Sequence, residues 1–316
     1  MQDNGSWRGP AYSLTKGGIR NFDWDNLWGG DGFDVMPDPE DANWVYAMSQ
    51  GGSVGRYNTQ TGQSSYIKPP APDAKTLLRF NWNAAIAQDP FDKKTIYYGS
   101  QFVHKSTDKG VSWEIISPDL TTNDSIKIEA FQNTGGLTLD ITGAETHCTI
   151  LAIAPSPKER GTIWISTDDG NVQVTQDGGK TWTNTSANIV PTGIPAQTWV
   201  SSIEPSHFSK DLVYATFENH MYGDHNTYAA KSEDGGKTWE VVAQNQNPGY
   251  RSCVQYVPNS ESKGLVAIGF EGIDYSNDAG ASWKHLSDEG FYTLRFTPFI
   301  PTPIKHRSLA MVIAIN

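Results

Sequence analysis

The sequence predicts an all-β protein, a β-propeller made of four-stranded antiparallel blades. The chain has 316 residues with 30 Gly, 18 Pro, 11 Trp, 13 Tyr and 12 Phe, and only 19% of its residues are charged. This composition is typical of short strands and tight turns. A Ser/Thr-x-Asp-x-Gly-x-x-Trp motif also occurs four times, at spacings of 69, 57 and 44 residues. A repeat of this size, lengthened by loop insertions, has the length of a propeller blade.

The repeated motif predicts a hairpin turn. We expect its Asp to accept N–H groups of its own turn, its Gly to supply a positive φ, and its Trp to pack the hairpin against a neighbouring blade. These residues are therefore assigned structural rather than catalytic roles. They are Asp108 and Trp113, Asp177 and Trp182, Asp234 and Trp239, and Asp278 and Trp283.

A second phrase, an Asp-Pro-like turn followed by an apolar strand, recurs five times and marks five blades. In the third blade we predict strand A at residues 149–154, strand B at 162–166, strand C at 172–175 and strand D from Trp182, with the motif as the C-to-D turn. The blade around Tyr57 has a degenerate turn at residues 58–62 that lacks the Trp. Residues 117–142 and 184–196 interrupt the repeat and are predicted insertions.

The two ends of the chain are predicted to build a sixth blade. Residues 292–296 and 308–315 would supply strands A and B, and residues 1–20 strands C and D. Pairing of the termini would close a ring of six blades without an exposed sheet edge. The alternative is part of a seven- or eight-bladed ring. We thus expect one propeller domain over residues 1–297, with a tail at 298–316 that supplies one strand of the closing blade.

Charge and hydropathy exclude several classes of partner. The formal net charge is −11, which argues against binding to nucleic acid or anionic lipid. The longest apolar stretch, residues 309–315, is far shorter than the roughly 20 residues that cross a bilayer. Residues 1–7 lack the basic and apolar segments of a secretory signal. The two cysteines, Cys148 and Cys253, are expected to be buried apolar side chains.

Propeller geometry assigns the loops to two faces. The D-to-A and B-to-C loops share one face, on which ligands of such folds usually bind, and the motif turns share the other with the A-to-B turns. Acids, amides and aromatic residues dominate the first face, which suits sugar hydroxyls and C–H groups and suits an extended peptide almost as well. The ligand-binding candidates are Arg79, Asn81, Trp82, His147, Asp169, Trp199 and His220.

Glycoside hydrolysis is the alternative to simple binding. It needs two carboxylates about 5–5.5 Å apart for retention or about 6.5–9.5 Å apart for inversion. The catalytic candidates are Asp31, Glu145, Asp168 and Glu271. Asp168 and Asp169 also fit an ordinary hairpin turn. No cofactor is predicted, apart from a structural calcium ion that Asp31 and Asp34 would bind.

The four motifs resemble the Asp-box, or BNR, repeats of bacterial sialidases, xyloglucan-cleaving propellers and sortilin-type receptors. Segments within about residues 1–230 resemble large secreted bacterial proteins described as sortilin-like or BNR-repeat glycosyl hydrolases. These segments are residues 2–7, 30–34, 79–83, 117–121, 143–145 and 170–175. From Tyr250 onward the sequence is similar to a second group of Asp-box propellers.

This resemblance implies a secreted or periplasmic propeller that binds carbohydrate or an extended peptide, with glycoside hydrolysis as the alternative. We expect a monomer without nucleic-acid or membrane partners. A true sialidase is not expected, because such enzymes bind the substrate carboxylate with three arginines. The ligand face of this chain offers mainly Arg79 and Arg251.

Overall fold

Short antiparallel strands form almost all of the regular structure. The computed structural model describes residues 3–10, 13–134, 146–219, 222–244, 251, 253–258, 260–261, 263–291, 293–296 and 311–314. The chain forms two compact units, Met1–Ile153 and Ala154–Asn316. Within the described residues there are five four-stranded sheets and two two-stranded sheets. The all-β prediction with four-stranded blades is therefore confirmed.

The first unit contains a hairpin and two complete sheets, whose strands follow one another in chain order as β1-β2, β3-β4-β5-β6 and β7-β8-β9-β10. The strands are β1 Ser6–Arg8, β2 Asp25–Trp28, β3 Val35–Pro37, β4 Trp44–Ser49, β5 Ser53–Asn58, β6 Ser64–Tyr66, β7 Ile86–Gln88, β8 Ile96–Gly99, β9 Val103–Ser106 and β10 Glu114–Ile115. A 3-10 helix spans Asn21–Asp23, and helix α1 spans Ser125–Thr134.

The remaining sheets are β11-β12-β13-β14, β15-β16-β17-β18, β19-β20-β21-β22 and the pair β23-β24. The boundary between the two units falls within β11. The strands are β11 Ile150–Pro155, β12 Ile163–Thr167, β13 Val172–Thr175, β14 Thr183–Asn184, β15 Trp199–Pro205, β16 Val213–Asn219, β17 Asp224–Ser232, β18 Glu240–Gln244, β19 Cys253–Tyr256, β20 Leu265–Gly269, β21 Gly272–Ser276, β22 Lys284–Ser287, β23 Thr293–Phe296 and β24 Met311–Ala314. Two 3-10 helices, Ser186–Asn188 and Val190–Thr192, follow β14.

The predicted strands of the third blade agree with β11 to β14 within one or two residues, and the motif forms the turn between β13 and β14. The strands expected near the C-terminus also pair, because β23 and β24 are antiparallel with Thr293 opposite Ala314. Closure of a ring by the termini and the single-domain assignment stay predictions.

One expectation about an irregular segment needs correction, and one predicted insertion contains a helix. Residues 1–20 were expected to hold two strands, but the partner of β1 is β2, at Asp25–Trp28. The reason is packing, since Leu27 is buried against Val45 and Ala47 of β4. The predicted insertion at 117–142 contains helix α1, which begins after Asp124. The carboxylate of Asp124 accepts the backbone N–H of Ile126 at 2.9 Å and so caps the first turn.

Each Asp-box motif is closed by the same set of hydrogen bonds. In the third copy, Ser232 Oγ donates to Asp234 Oδ1 at 2.9 Å and accepts the N–H of Gly236 at 2.8 Å. Thr238 donates to Asp234 through its N–H at 2.9 Å and its hydroxyl at 2.6 Å. The bonds from Thr238 are the main reason that the pKa of Asp234 is lowered to about 2. The carboxylate is thus an internal acceptor of its own turn.

The motif turn is also bonded to the A-to-B turn of its own sheet. The residue between the Asp and the Gly of the motif donates its N–H to a carbonyl of that turn at 2.9–3.0 Å in all four copies. The pairs are Lys109 to Lys94, Gly178 to Gly161, Gly235 to Asp211 and Ala279 to Lys263. These two turns therefore lie at one end of each sheet, and the B-to-C turns and D-to-A connections lie at the other.

Side chains from the motifs fill the spaces between consecutive sheets. Trp239 packs edge-on against Trp164 of β12, with ring centroids 6.3 Å apart. Trp113 donates its indole N–H to the carbonyl of Ile67 at 2.8 Å. In these two copies the Trp thus contacts the preceding sheet of its own unit, which places apolar core between those sheets.

Candidate functional site

An open depression lies in the first unit, at the end of the sheets that carries the B-to-C turns. We call it the Asp31 depression. Its volume is about 510 Å³, and it is lined by Asp3, Asn4, Gly5, Asn26, Gly29, Gly30, Asp31 and Gln50. Gln50 belongs to the turn between β4 and β5, and Asp31 lies in the connection before β3. The depression therefore lies on the face that the sequence indicates for ligands.

Asp31 is fixed by three hydrogen bonds, two to its carboxylate and one from its backbone N–H. Its Oδ1 accepts the backbone N–H of Asp3 at 2.6 Å, and its Oδ2 accepts the indole N–H of Trp82 at 3.1 Å. Its own N–H donates to Gln50 Oε1 at 2.8 Å. The Asp31 residue is only 5% exposed. The structure thus brings together two predicted residues, Asp31 and Trp82, that are 51 positions apart in the chain.

Arg79 ties two loops together. Its Nη2 donates to Asp119 Oδ2 at 2.7 Å and to Thr121 Oγ1 at 3.2 Å, and its Nε donates to the carbonyl of Cys148 at 3.1 Å. The neighbouring Asn81 is buried, and its Oδ1 accepts the N–H of Asn83 at 3.3 Å. Both residues thus hold the connection that presents Trp82.

A half-buried lysine lies beside the Gln50 turn. The Nζ of Lys68 donates to the carbonyl of Gly51 at 2.8 Å and stands 4.7 Å from the ring centre of Phe80. Burial lowers the pKa of Lys68 from its ordinary value of 10.5. Sequence reasoning did not select Lys68, since a single lysine after a short strand carries no distinguishing pattern.

The second unit holds a charged cluster at the corresponding end of β21 and β22, which we call the His285 cluster. Arg251 donates through Nε to Asp274 Oδ2 at 2.6 Å, and its Nη2 forms an ion pair with the same oxygen. His285 Nδ1 lies 3.0 Å from Asp274 Oδ1, and its Nε2 lies 2.8 Å from Asp288 Oδ1. The hydrogen bonds with Asp288 and then Asp274 raise the pKa of His285 above its ordinary value of 6.5.

Glu271 lies next to this cluster but contributes only its backbone. Its carbonyl accepts Arg251 Nη2 at 3.4 Å, and its side chain is exposed in the turn between β20 and β21. Sequence reasoning selected Glu271 and missed Asp274 and His285. The only available signal was two polar residues within short strands, and it does not show that these residues face each other.

Asp168 and Asp169 lie in a covered turn. Both are at most 1% exposed, and Thr167 Oγ1 donates to Asp169 while accepting the N–H of Asn171. A Cβ on Gly170 would lie 2.6 Å from the Cα of Gln197, so the connection before β15 covers this turn. The structure therefore does not expose these two carboxylates.

The other predicted residues are placed as follows. His147 is buried, and Trp199 is half-buried at the start of β15. Glu145 and His220 lie outside the described residues. Among the described residues, no group of three His, Cys, Asp or Glu side chains is arranged to hold a metal ion, and the calcium ion at Asp31 and Asp34 stays a prediction. Within the same ranges, no helix is long and apolar enough to cross a membrane.

Comparison with known proteins places this geometry in context. The BNR repeat-like domain family matches residues 71–288, and no curated protein matches the chain. The extracellular domain of a one-component system, BT4673 from B. thetaiotaomicron, has a TM-score of 0.55 at 12% identity, over 93% of this chain and 33% of that chain. YCF48 bound to D1 peptide has a TM-score of 0.51 at 15% identity, over 84% and 72%.

A third similar structure is the Niastella koreensis GH74 enzyme, with a TM-score of 0.46 at 14% identity, over 80% of this chain and 30% of that one. The chain thus spans about a third of the length of the GH74 enzyme and of the BT4673 domain. At these identities the structural similarities concern the fold alone. The similarities to YCF48 and to the BT4673 domain agree with the repeated four-stranded sheets and confirm the propeller class. Because the family match covers more than half of its residues, this chain belongs to the BNR repeat-like domain family.

Proposed function

We propose that this protein is a propeller that binds a neutral glycan in the Asp31 depression. The observation that carries the proposal is the set of polar groups around one open depression. Two carboxylates, Asp3 and Asp31, and three amides, Asn4, Asn26 and Gln50, line it. Carboxylates and amides can accept or exchange pairs of hydrogen bonds with vicinal sugar hydroxyls.

The position of Trp82 supports a sugar further. Its indole N–H holds Asp31 in place at 3.1 Å, so the carboxylate is oriented before a ligand arrives. Such preorganisation reduces the entropy lost on binding.

The charge of the depression favours a neutral ligand over an acidic one. Its lining holds two acids and neither Lys nor Arg, and the whole chain has a formal net charge of −11. The nearest cation described above, Lys68, donates to the carbonyl of Gly51. Uronic or sialic acid chains would thus meet repulsion without a compensating guanidinium.

The test is calorimetric titration with cellohexaose, laminarihexaose and mannohexaose, and with hexagalacturonate as the acidic comparison. We expect at least one neutral hexasaccharide to bind and hexagalacturonate not to bind. Asp31→Asn should weaken binding about tenfold and Gln50→Ala about fivefold, since charged and neutral hydrogen bonds differ in this way. Gln63→Ala removes an exposed amide at the opposite end of the same sheet and should change nothing.

A preference for hexagalacturonate, or equal binding by wild type and Asp31→Asn, would contradict the proposal. An extended peptide is the competing ligand, and YCF48 bound to D1 peptide shows that a protein of this fold can be solved with one. If the protein binds members of an unstructured peptide library and none of the sugars, a peptide is favoured as the ligand.

Glycoside hydrolysis is a second candidate, because Asp3 and Asp31 line the same depression. A pair of carboxylates around one sugar is the minimum that such hydrolysis requires. Release of reducing ends from the same hexasaccharides measures it. Turnover that is lost in both Asp3→Asn and Asp31→Asn would establish hydrolysis, whereas binding without turnover leaves a noncatalytic propeller.

The same proposal includes a location and a state. We infer that the protein acts outside the cytoplasm as a monomer without a cofactor. Extracellular sensor domains among the structures of similar fold support the location. Fractionation of expressing cells and sedimentation of the purified chain measure both.

A further inference from the structure

A second depression lies in the first unit, at the other end of the seam between hairpin β1-β2 and sheet β3-β6. We call it the Trp24 depression. Its volume is about 350 Å³, and it is lined by Arg8, Gly9, Pro10, Asp23, Asp25, Asn43, Thr59 and Gln60. The middle of the seam is closed by Leu27, Val45 and Ala47, which are all buried. The two depressions are therefore separate.

The polar side chains of the Trp24 depression are held by neighbouring groups. Arg8 lies opposite Asp25 in the hairpin and donates to the hydroxyl of Thr59. The hydroxyl of Thr59 in turn donates to the carbonyl of Asn43 at 3.1 Å. The amide of Asn43 donates to Asp41 Oδ1 at 2.8 Å.

An exposed aromatic ring contacts Gly9, which is one of the residues that line the same depression. Trp24 is 45% exposed, and the residues on both sides of it, Asp23 and Asp25, line the depression. Its ring also lies directly on Gly9, where a Cβ would stand 2.5 Å from the indole. A large aromatic surface exposed beside fixed polar groups is a common feature of ligand sites.

We propose that the Trp24 depression is a second glycan-binding site. A pyranose packs its C–H face on Trp24 and directs its hydroxyls to Arg8, Asp25 and Asn43. The two aspartates outnumber the single guanidinium, which again favours a neutral sugar. This site is additional to the proposed function, which concerns the Asp31 depression, and it stands on different residues.

The two sites lie at opposite ends of strand β4. Asn43 precedes strand β4 and Gln50 follows it, and seven residues of extended chain span about 23 Å. Because buried Leu27, Val45 and Ala47 close the seam between the two depressions, a chain bound in one does not run through to the other. The protein binds two short chains at once, or two strands of a polymer.

The experiment is calorimetry with the same three neutral hexasaccharides, read as stoichiometry. We expect two sites per chain for wild type and one for Trp24→Ala, with the remaining site weakened about tenfold in the double variant Trp24→Ala, Asp31→Asn. Trp24→Phe keeps a stacking ring and should retain the second site with affinity reduced about threefold. Leu14→Ala removes a fully exposed apolar side chain from the same connection and should keep both sites.

Circular dichroism melting shows whether Trp24→Ala is folded, and Asn43→Ala repeats the test where the ring is left intact. Unchanged stoichiometry in both variants, or a single site in wild type that Asp31→Asn weakens, overturns the second site while the proposed function survives. If wild type has a single site that Trp24→Ala removes and Asp31→Asn does not weaken, the proposed function is contradicted and this inference is supported. No binding of any of the three sugars overturns both.

Discussion

His285 and Asp274 face each other across strands β21 and β22, with the imidazole Nδ1 3.0 Å from the carboxylate Oδ1. The other carboxylate oxygen accepts Arg251 Nε at 2.6 Å. Asp274 has no exposed surface, and Arg251 is 3% exposed. The imidazole therefore lies between a buried ion pair and the exposed carboxylate of Asp288, which accepts its Nε2 at 2.8 Å.

This arrangement predicts a pH effect. The hydrogen bonds with Asp288 and Asp274 raise the pKa of His285 above 6.5. Because the folded-state pKa is the higher one, its contribution to stability is fully present below about pH 6.5 and is lost as the pH rises through the folded-state value. NMR titration of the His285 imidazole should show this raised pKa.

Two variants test what raises the pKa of His285. Asp288→Asn should lower the pKa of His285, because it weakens the hydrogen bond that contributes most to the raised pKa. Glu289→Gln removes an adjacent exposed acid that does not contact the ring and should leave the titration nearly unchanged. An equal shift in both variants would indicate a general charge effect instead of the contact with Asp288.

The buried ion pair predicts a large loss of stability when one partner is removed. Arg251→Met leaves the carboxylate of Asp274 buried with His285 as its remaining partner among the described residues, and we expect a loss of about 3–5 kcal/mol. Urea unfolding followed by tryptophan fluorescence measures it. Glu271→Ala keeps the carbonyl that Arg251 uses and should change stability by less than about 0.5 kcal/mol.

The double variant Arg251→Met, Asp274→Leu tests whether the unpaired buried charge causes this loss. It removes both charges and should regain part of the lost stability, because no unpaired buried charge remains. Equal losses in the single and double variants would show that the pair itself, with its hydrogen bonds, stabilises the sheet end.

The turn structure around each motif Asp could be predicted from the sequence because the hydrogen bonds of that carboxylate are local. Asp234 contacts residues two positions before it and four positions after it. The residue types and their spacing are therefore enough to predict these hydrogen bonds. Strand order follows in the same way, since consecutive strands joined by short turns pair as hairpins.

The candidate sites depend on relations that spacing does not contain. The bond from Trp82 to Asp31 joins residues 51 positions apart, and its geometry depends on how two loops pack. Asp274 meets His285 only because a register shift lies between Ile273 and Asp274 in the pairing with β22. A strand pattern does not reveal such an irregularity.

The glycines of one motif predict two different costs for the same change. Gly236→Ala would place a Cβ 2.6 Å from Thr185 Cγ2 and 3.0 Å from Trp164, at a φ of +89°. We expect a loss of about 3 kcal/mol or more from crowding and backbone strain together. Gly235→Ala has a similar φ of +74°, but its nearest atom outside its chain neighbours is 3.7 Å away, so strain alone should cost about 1 kcal/mol.

Other copies of the motif support this contrast. Lys109 and Ala279 occupy the position of Gly235 with φ values of 64° and 60°, whereas all four copies have glycine at the position of Gly236. Thermal unfolding of the two alanine variants compares them directly. Equal losses would show that backbone strain, and not contact with the preceding sheet, selects glycine there.

Asp38 predicts sensitivity to acid in the first unit. Its carboxylate accepts Arg56 Nη2 at 2.7 Å and Lys109 Nζ at 2.8 Å, and Lys109 belongs to the motif of the next sheet. Burial alone would raise the pKa of Asp38, but the hydrogen bonds from Lys109, the N–H of Glu40 and Arg56 outweigh it and hold the pKa below 3.8. Its stabilisation is therefore complete above about pH 3.8 and is lost as the pH falls through the folded-state value.

Asp38→Asn should thus lose about 2 kcal/mol at pH 7, the size of a hydrogen bond to a charged group. The difference from wild type should shrink as the pH falls below 3, because the wild-type carboxyl is then increasingly protonated as well. Chemical unfolding at pH 7, 5 and 2.5 measures this change, with Glu114→Gln as the exposed control. A difference that stays constant across these pH values would mean that the amide disturbs packing, and that the charge of Asp38 does not join the two sheets.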